Sequence, residues 1–204
     1  MREMYLHNYI NFKPLLKEDV NDSISSFLDK IESKHKLSEE LRNKIEDFIE
    51  KSGCEKIEFA KFKFPALGVA VHDGVLINEM ALHQKLETLI FVIFHEIAHQ
   101  YQFKKYGEEK MYECYVGDIS DDEAADFLQK TEIVADEFAT RKLRELQKLN
   151  LIESSFVPQQ MYKNMPKLQI KHMVITHRMM LKRQNIKSPE KISEFFYNMV
   201  KDNL

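Results

Sequence analysis

The feature that most constrains the chain is a change of character at residue 95. Leu89-Ile90-Phe91-Val92-Ile93-Phe94 is six large apolar residues in a row, and His95-Glu96-Ile97-Ala98-His99 follows without a break. The stretch after Asn78 reads as helical up to Tyr106, with Gly107 as its stop. An apolar run of this kind marks a helix buried in a core rather than one lying on a surface. Burying two histidines and a glutamate on the same helix costs several kcal/mol, of the order of 2–7 per unpaired polar group, unless partners are supplied.

The spacing suggests what the partner is. Residues four apart on a helix stack on one face, about 6 Å apart. His95 and His99 are so spaced, and two such imidazoles can hold one Zn²⁺ at about 2.0–2.1 Å each. Glu96 is rotated by about 100° from His95. It stands beside the ion rather than on it, where it can accept a proton from activated water. A catalytic zinc takes three protein ligands and leaves one position open, so a third ligand is expected from another helix. Thr131-Glu132-Ile133-Val134-Ala135-Asp136-Glu137-Phe138-Ala139 offers one. Glu132 and Asp136 share a face, and Ala135 and Ala139 are small enough to let two helices approach closely. Glu132 is the expected ligand and Asp136 the expected acceptor of a histidine N–H, fixing its tautomer. Glu137, Asp136 itself or a C-terminal histidine are the alternatives for the third ligand.

His95-Glu96-x-x-His99 followed by Glu132-x-x-Ala135-Asp136 resembles the gluzincin metallopeptidases, most closely the compact cytoplasmic ImmA/IrrE-like and minigluzincin forms. The Glu-x-x-Ala-Asp element is also similar to that of HtpX-type membrane peptidases, whose membrane spans have no counterpart here. The resemblance covers about residues 66–140. It implies a zincin-like fold and that Gly68, Val69, Ala70 and Val71 form an exposed edge strand on which an extended peptide substrate pairs, a strand-addition mode of recognition. A metzincin pattern is excluded, because Gln102 and Lys105 stand where it needs Gly and His. Large gluzincins set a later His or Tyr over the reacting carbonyl. No motif maps that residue, and His172, His177, Tyr162 and Tyr197 have the right chemistry, with His177 read first as a core or surface residue.

The rest of the chain supplies the frame. Val20, Ile24, Phe27, Leu28 and Ile31 predict a helix over 18–33. A second helix opens at Ser38, with Leu41, Ile45, Phe48 and Ile49 on one face, and stops at Gly53. Residues 56–64 alternate with period two and end at Pro65, a strand signal. Gly68–Val71 and Val75–Asn78 flank His72-Asp73-Gly74, a hairpin signal. Ser120-Asp121-Asp122-Glu123 is a capping box opening a helix to about Leu149. Residues 161–184 read as helical with an interruption at Pro166, and Ser188-Pro189-Glu190 opens a last helix through Phe195, Phe196 and Val200. The expectation is a mostly helical α+β fold with a small antiparallel-containing sheet, one domain over 1–204. Residues 1–54 supply N-terminal helices, 55–149 the sheet and zinc-binding helices, and 150–204 a basic helical region.

Cys54 and Cys114 are too few for a disulfide framework and read as reduced thiols. No apolar run approaches the roughly 20 residues that span a bilayer, and Met1-Arg2-Glu3-Met4-Tyr5 does not open a secretory signal. A cytoplasmic location is the default expectation. Residues 161–191 carry Lys163, Lys167, Lys171, Arg178, Lys182, Arg183, Lys187 and Lys191 against Glu190 alone, a local charge of +7 in a chain of net −3. That segment either meets nucleic acid or another acidic partner, or packs beside the acidic part of its own fold. The sequence thus points to a zinc metallopeptidase acting on a peptide or protein. The rival is a zinc-binding regulatory or interaction module, with nucleic acid as a partner unsupported by any motif.

Overall fold

A computed structural model describes residues 17–62, 66–72 and 74–201. The chain runs α1 (Lys17–Glu32), α2 (Glu39–Ser52), β1 (Lys56–Ala60), β2 (Gly68–Val71), β3 (Gly74–Asn78), a 3-10 turn (Glu79–His83), α3 (Leu86–Tyr106), α4 (Glu108–Val116), α5 (Asp121–Lys148), α6 (Met161–Asn164), α7 (Lys167–Arg183) and α8 (Pro189–Lys201). It is a mostly helical α+β fold with one three-stranded mixed sheet. β1 ends at Ala60, before the Phe64 expected from the alternation, and Lys61 and Phe62 are not strand; Lys63 and Phe64, the expected stop Pro65, Asp73 of the hairpin turn and residues 1–16 lie outside the described residues.

Local signals set the helix ends. The Ser38 side chain accepts from the Leu41 N–H and opens α2. Gly53 closes it with φ 68°, a left-handed conformation that costs a glycine nothing. Ser120 and Glu123 form the reciprocal capping box of α5. Residues 108–116, unassigned from sequence, form α4. Gly107 at φ 79° ends α3 and lets the chain turn, and Met111, Tyr112 and Cys114 then bury one side of the new helix.

The sheet order is β1-β3-β2. β2 and β3 make the expected antiparallel pair, from Gly68↔Ile77 to Val71↔Gly74. β1 runs parallel to β3, a long-range pairing that period-two alternation alone does not specify. β3 is buried at every residue, as a central strand covered on both faces must be. Ile57, Val75 and Ile77 point into the main core with Ile24 and Phe27 of α1, Ile45 and Ile49 of α2, Ile90, Ile93 and Phe94 of α3, and Leu143 and Leu146 of α5. On the opposite face, Ala60 and Leu76 lie against Tyr197 of α8.

β2 is the sheet's edge by pairing, yet it is not bare. Gly68, Val69 and Ala70 are half-buried and Val71 is buried. Gln100 of α3 donates its side-chain amide to Val71 O at 2.6 Å and Gly74 O at 2.9 Å. The His72 N–H donates to Ser193 Oγ of α8 at 3.2 Å.

The C-terminal helices pack on the first half of α5. Ion pairs Arg178–Asp121, Lys171–Asp122 and Lys167–Asp126 join α7 to α5 at 2.7–2.8 Å, so part of the basic segment is matched by acidic residues of the same chain. The crossing between α5 and α7 is fastened to α5 twice. Gln147 Nε2 donates to Glu153 O and Phe156 O, and Gln129 Nε2 donates to Tyr162 O and Met165 O, all at 2.8–3.0 Å. No helix among the described residues is long and apolar enough to cross a membrane.

Candidate metal centre

α3 and α5 pack closely because α5 presents Ala135 and Ala139, both fully buried, to its neighbour. That approach brings His95, His99 and Glu132 together. His95 Nδ1 lies 2.9 Å from Asp136 Oδ1, and His99 Nδ1 lies 2.8 Å from Gln102 Oε1. The Gln102 amide has a defined orientation, since its Nε2 donates to Thr131 O at 2.9 Å. Carboxylate and amide oxygens accept and do not donate. Each neutral imidazole therefore carries its proton on Nδ1 and turns a bare Nε2 inward.

The two Nε2 atoms face each other at 3.2 Å. Glu132 adds Oε2 at 3.1 Å from His95 Nε2 and Oε1 at 3.6 Å from His99 Nε2. One ligand atom from each of the three residues falls within 4.8 Å of the others. Three acceptors converging in a buried space repel one another unless a proton or a metal cation sits among them. The second carboxylate nearby adds to the demand, because Asp136 Oδ2 is buried without a partner among the described residues. Two imidazole nitrogens and a carboxylate fit a divalent ion that takes mixed nitrogen and oxygen ligands. The Nδ1 bonds to Asp136 and Gln102 orient the rings as ligand-supporting contacts do.

Electrostatics without an ion report the same crowding. Burial pulls the His95 imidazole down, but the bonds to Asp136 and Glu132 and the surrounding negative charge outweigh it, so its pKa stands well above the usual value. His99 is raised for the same reason, with Glu132 as the main opposing influence. Burial pushes the Glu132 carboxyl up, and the charges and hydrogen bonds of both histidines more than reverse this, leaving it lowered.

Glu96 stands apart from the ligand set, against β2. It is only 8% exposed. Burial raises its carboxyl above the ordinary range, with the histidine charges and the Ala70 backbone N–H acting the other way. A base with a raised pKa is better matched to proton transfer near neutral pH. Of the four segment residues expected to bind substrate, Gly68 and Ala70 are thus beside Glu96, Val71 is held by Gln100, and Val69 pairs across with Leu76.

Among the four candidates for a later His or Tyr, the fold brings Tyr162 to His95. Its ring lies over His95, centroids 6.4 Å apart and planes at 22°, and its hydroxyl is close enough to Glu132 to feel that carboxylate. Burial, then the charges of Glu132, Glu96 and Asp136, raise its pKa. His177 packs edge-on to Tyr115 and Phe196, and burial lowers its pKa. His172 is exposed. Tyr197 is engaged far away, accepting from Lys56 Nζ and donating to Glu58. Sequence reasoning missed the bonding roles of Gln102 and Gln100. The i, i+3 spacing of Gln102 from His99 was the available signal for the first.

Comparison of the chain with family models, with curated protein sequences and with solved structures finds no match.

Proposed function

We propose that the protein is a zinc-dependent peptidase of gluzincin type, with His95, His99 and Glu132 as metal ligands and Glu96 as the general base. The observation that carries this reading is the pair of inward Nε2 atoms, each left as the lone-pair nitrogen of the neutral ring because Nδ1 faces its own acceptor, with the Glu132 carboxylate beside both. A bound zinc ion supplies Lewis acidity, polarising a carbonyl and acidifying water at neutral pH. The protein's own groups do the rest. Asp136 and Gln102 hold the two rings in the ligating tautomer. Glu96 accepts a proton from the attacking water and delivers it to the amide nitrogen as the carbon–nitrogen bond breaks. Tyr162 is the hydroxyl donor that borders the ligand set and the one we assign to the developing oxyanion. An extended peptide is the substrate class, pairing along β2 at Gly68–Ala70.

Glu96→Gln tests this directly. The variant is expected to keep its full complement of zinc by elemental analysis and to lose at least about 100-fold in hydrolysis of unstructured peptides. Undiminished turnover would remove Glu96 from the mechanism.

The depth at which Glu96 is buried favours one second reading, a zinc-binding module that captures a partner segment without cutting it. A stable complex with an uncut partner, unchanged by Glu96→Gln, would decide for that module. Nucleic acid is the weaker partner class, since Lys167, Lys171 and Arg178 are paired within the chain.

A further inference from the structure

Gly68 opens the edge strand, a place where glycine weakens rather than helps pairing. Its backbone does not call for glycine: the positive-φ glycines among the described residues are Gly53 and Gly107. What excludes a side chain is Glu96. A Cβ on residue 68 would stand 2.5 Å from Glu96 Cγ, 2.7 Å from Oε1 and 2.8 Å from Cδ. The two carbon separations are well inside carbon–carbon contact at about 3.5–4.0 Å, and the oxygen separation falls between them.

Neither partner has easy room to give way. The strand is held beyond both ends of Gly68: the Asn78 side chain donates to Ala66 O at 2.8 Å, the Asn78 N–H donates to Leu67 O at 2.8 Å, and Gln100 holds Val71 O at 2.6 Å. Glu96 is buried on a helix whose adjacent turns carry His95 and His99, so a displaced carboxylate moves within a crowded polar space.

We infer that Gly68 is a positioning residue for Glu96: the volume its missing side chain leaves is where the carboxylate stands, and it sets the distance between the base and the edge strand. The inference deepens the peptidase reading and rests on it for its catalytic consequence, while the steric coupling stands by itself. A displacement of about 1 Å in a catalytic group can cost roughly 100-fold in rate. A methyl group at residue 68 therefore acts on turnover without touching the metal ligands.

The test is a cycle in the full-length protein: wild type, Gly68→Ala, Glu96→Ala and the double variant. Gly68→Ala is expected to lower the thermal midpoint by about 3–8 °C when Glu96 is present. The same change should cost under about 2 °C when Glu96 is alanine, because the colliding atoms are gone. On peptide substrate, Gly68→Ala should lower kcat by about 100-fold, with KM within a few-fold and zinc stoichiometry unchanged. Equal thermal losses in the two backgrounds, or an unchanged kcat, would overturn the inference. Should Gly68→Ala alone fail to fold, a folded double variant supports it and an unfolded one overturns it. A wild type that binds zinc but cuts no peptide would sink the peptidase reading alone, since the thermal cycle still reports on Gly68 and Glu96.

Discussion

The two halves of α3 are buried to a similar degree and are governed by opposite chemistry. Leu89, Ile90, Ile93 and Phe94 are fully enclosed, and Phe94 meets Phe48 edge-on at 5.2 Å between centroids. One turn later Glu96, His99, Gln100 and Gln102 are buried and His95 is half-buried, and these polar groups need oriented partners. In the first half any well-shaped apolar neighbour serves. In the second, Asp136, Thr131 O, Val71 O and Gly74 O must arrive from other elements with correct orientation. The difference teaches that the apolar half fixes where the helix lies, and the polar half uses that rigidity to hold groups that repel one another.

The sharpest way to break the comparison is to remove a ligand. His99→Ala should abolish tight zinc binding, read as metal content after dialysis; undiminished zinc would refute the ligand set. Next in size, Phe94→Ala should destabilise the protein by about 3–5 kcal/mol in denaturant unfolding, as for a large buried aromatic. A loss below about 1 kcal/mol would mean that the first half is not the anchor. Asp136→Asn leaves the shape of the site and removes the charge that orients His95. It should weaken zinc affinity by about 10–100-fold in a competition titration while the fold survives. Unchanged affinity would show that the His95 tautomer needs no such support.

The smallest effect concerns the cysteines, which show burial acting without a charged hydrogen-bond partner among the described residues: the Cys54 thiol donates to Lys56 O and the Cys114 thiol to Met111 O. Burial pushes Cys54 and Cys114 to about 12, whereas His95 and His99 are held above their ordinary values by acidic neighbours despite their burial. A thiol near 9 when unfolded and about 12 when folded holds its proton longer in the native state. Stability is therefore lost as pH rises above the unfolded value, by about 1 kcal/mol per thiol between pH 8 and 10. Cys54→Ala should shrink the fall in thermal midpoint over that range by about 2–4 °C. An identical fall would show that the thiol contributes nothing.

What the sequence reveals about the site divides along the same line. Ser38, Gly53 and Ser120 act within a few residues of themselves, so the ends of α2 and α5 are legible from local pattern. His95 and His99 are legible because one helix holds both. Glu132 lies on a different helix, yet the small Ala135 and Ala139 and the i, i+4 partner Asp136 advertise the approach. Tyr162 is one of four candidates, two histidines and two tyrosines, that the sequence alone does not separate. Its position depends on how Gln129 fastens a segment between two helices, and no short-range pattern encodes that. The parallel pairing of β1 with β3 was equally hidden, because it joins residues about twenty apart across the intervening β2.

The two glutamines on α5 have a further consequence. Gln129 and Gln147 are 18 residues apart on one helix, about 27 Å at 1.5 Å per residue. The segment from Glu153 to Met165 thus runs back along α5 and is seated by neutral amides at both ends. Ionic strength leaves such a seat in place, while it weakens the neighbouring carboxylate–ammonium seam between α5 and α7. Salt should therefore weaken the α5–α7 ion pairs before it disturbs the segment that carries Tyr162 to His95.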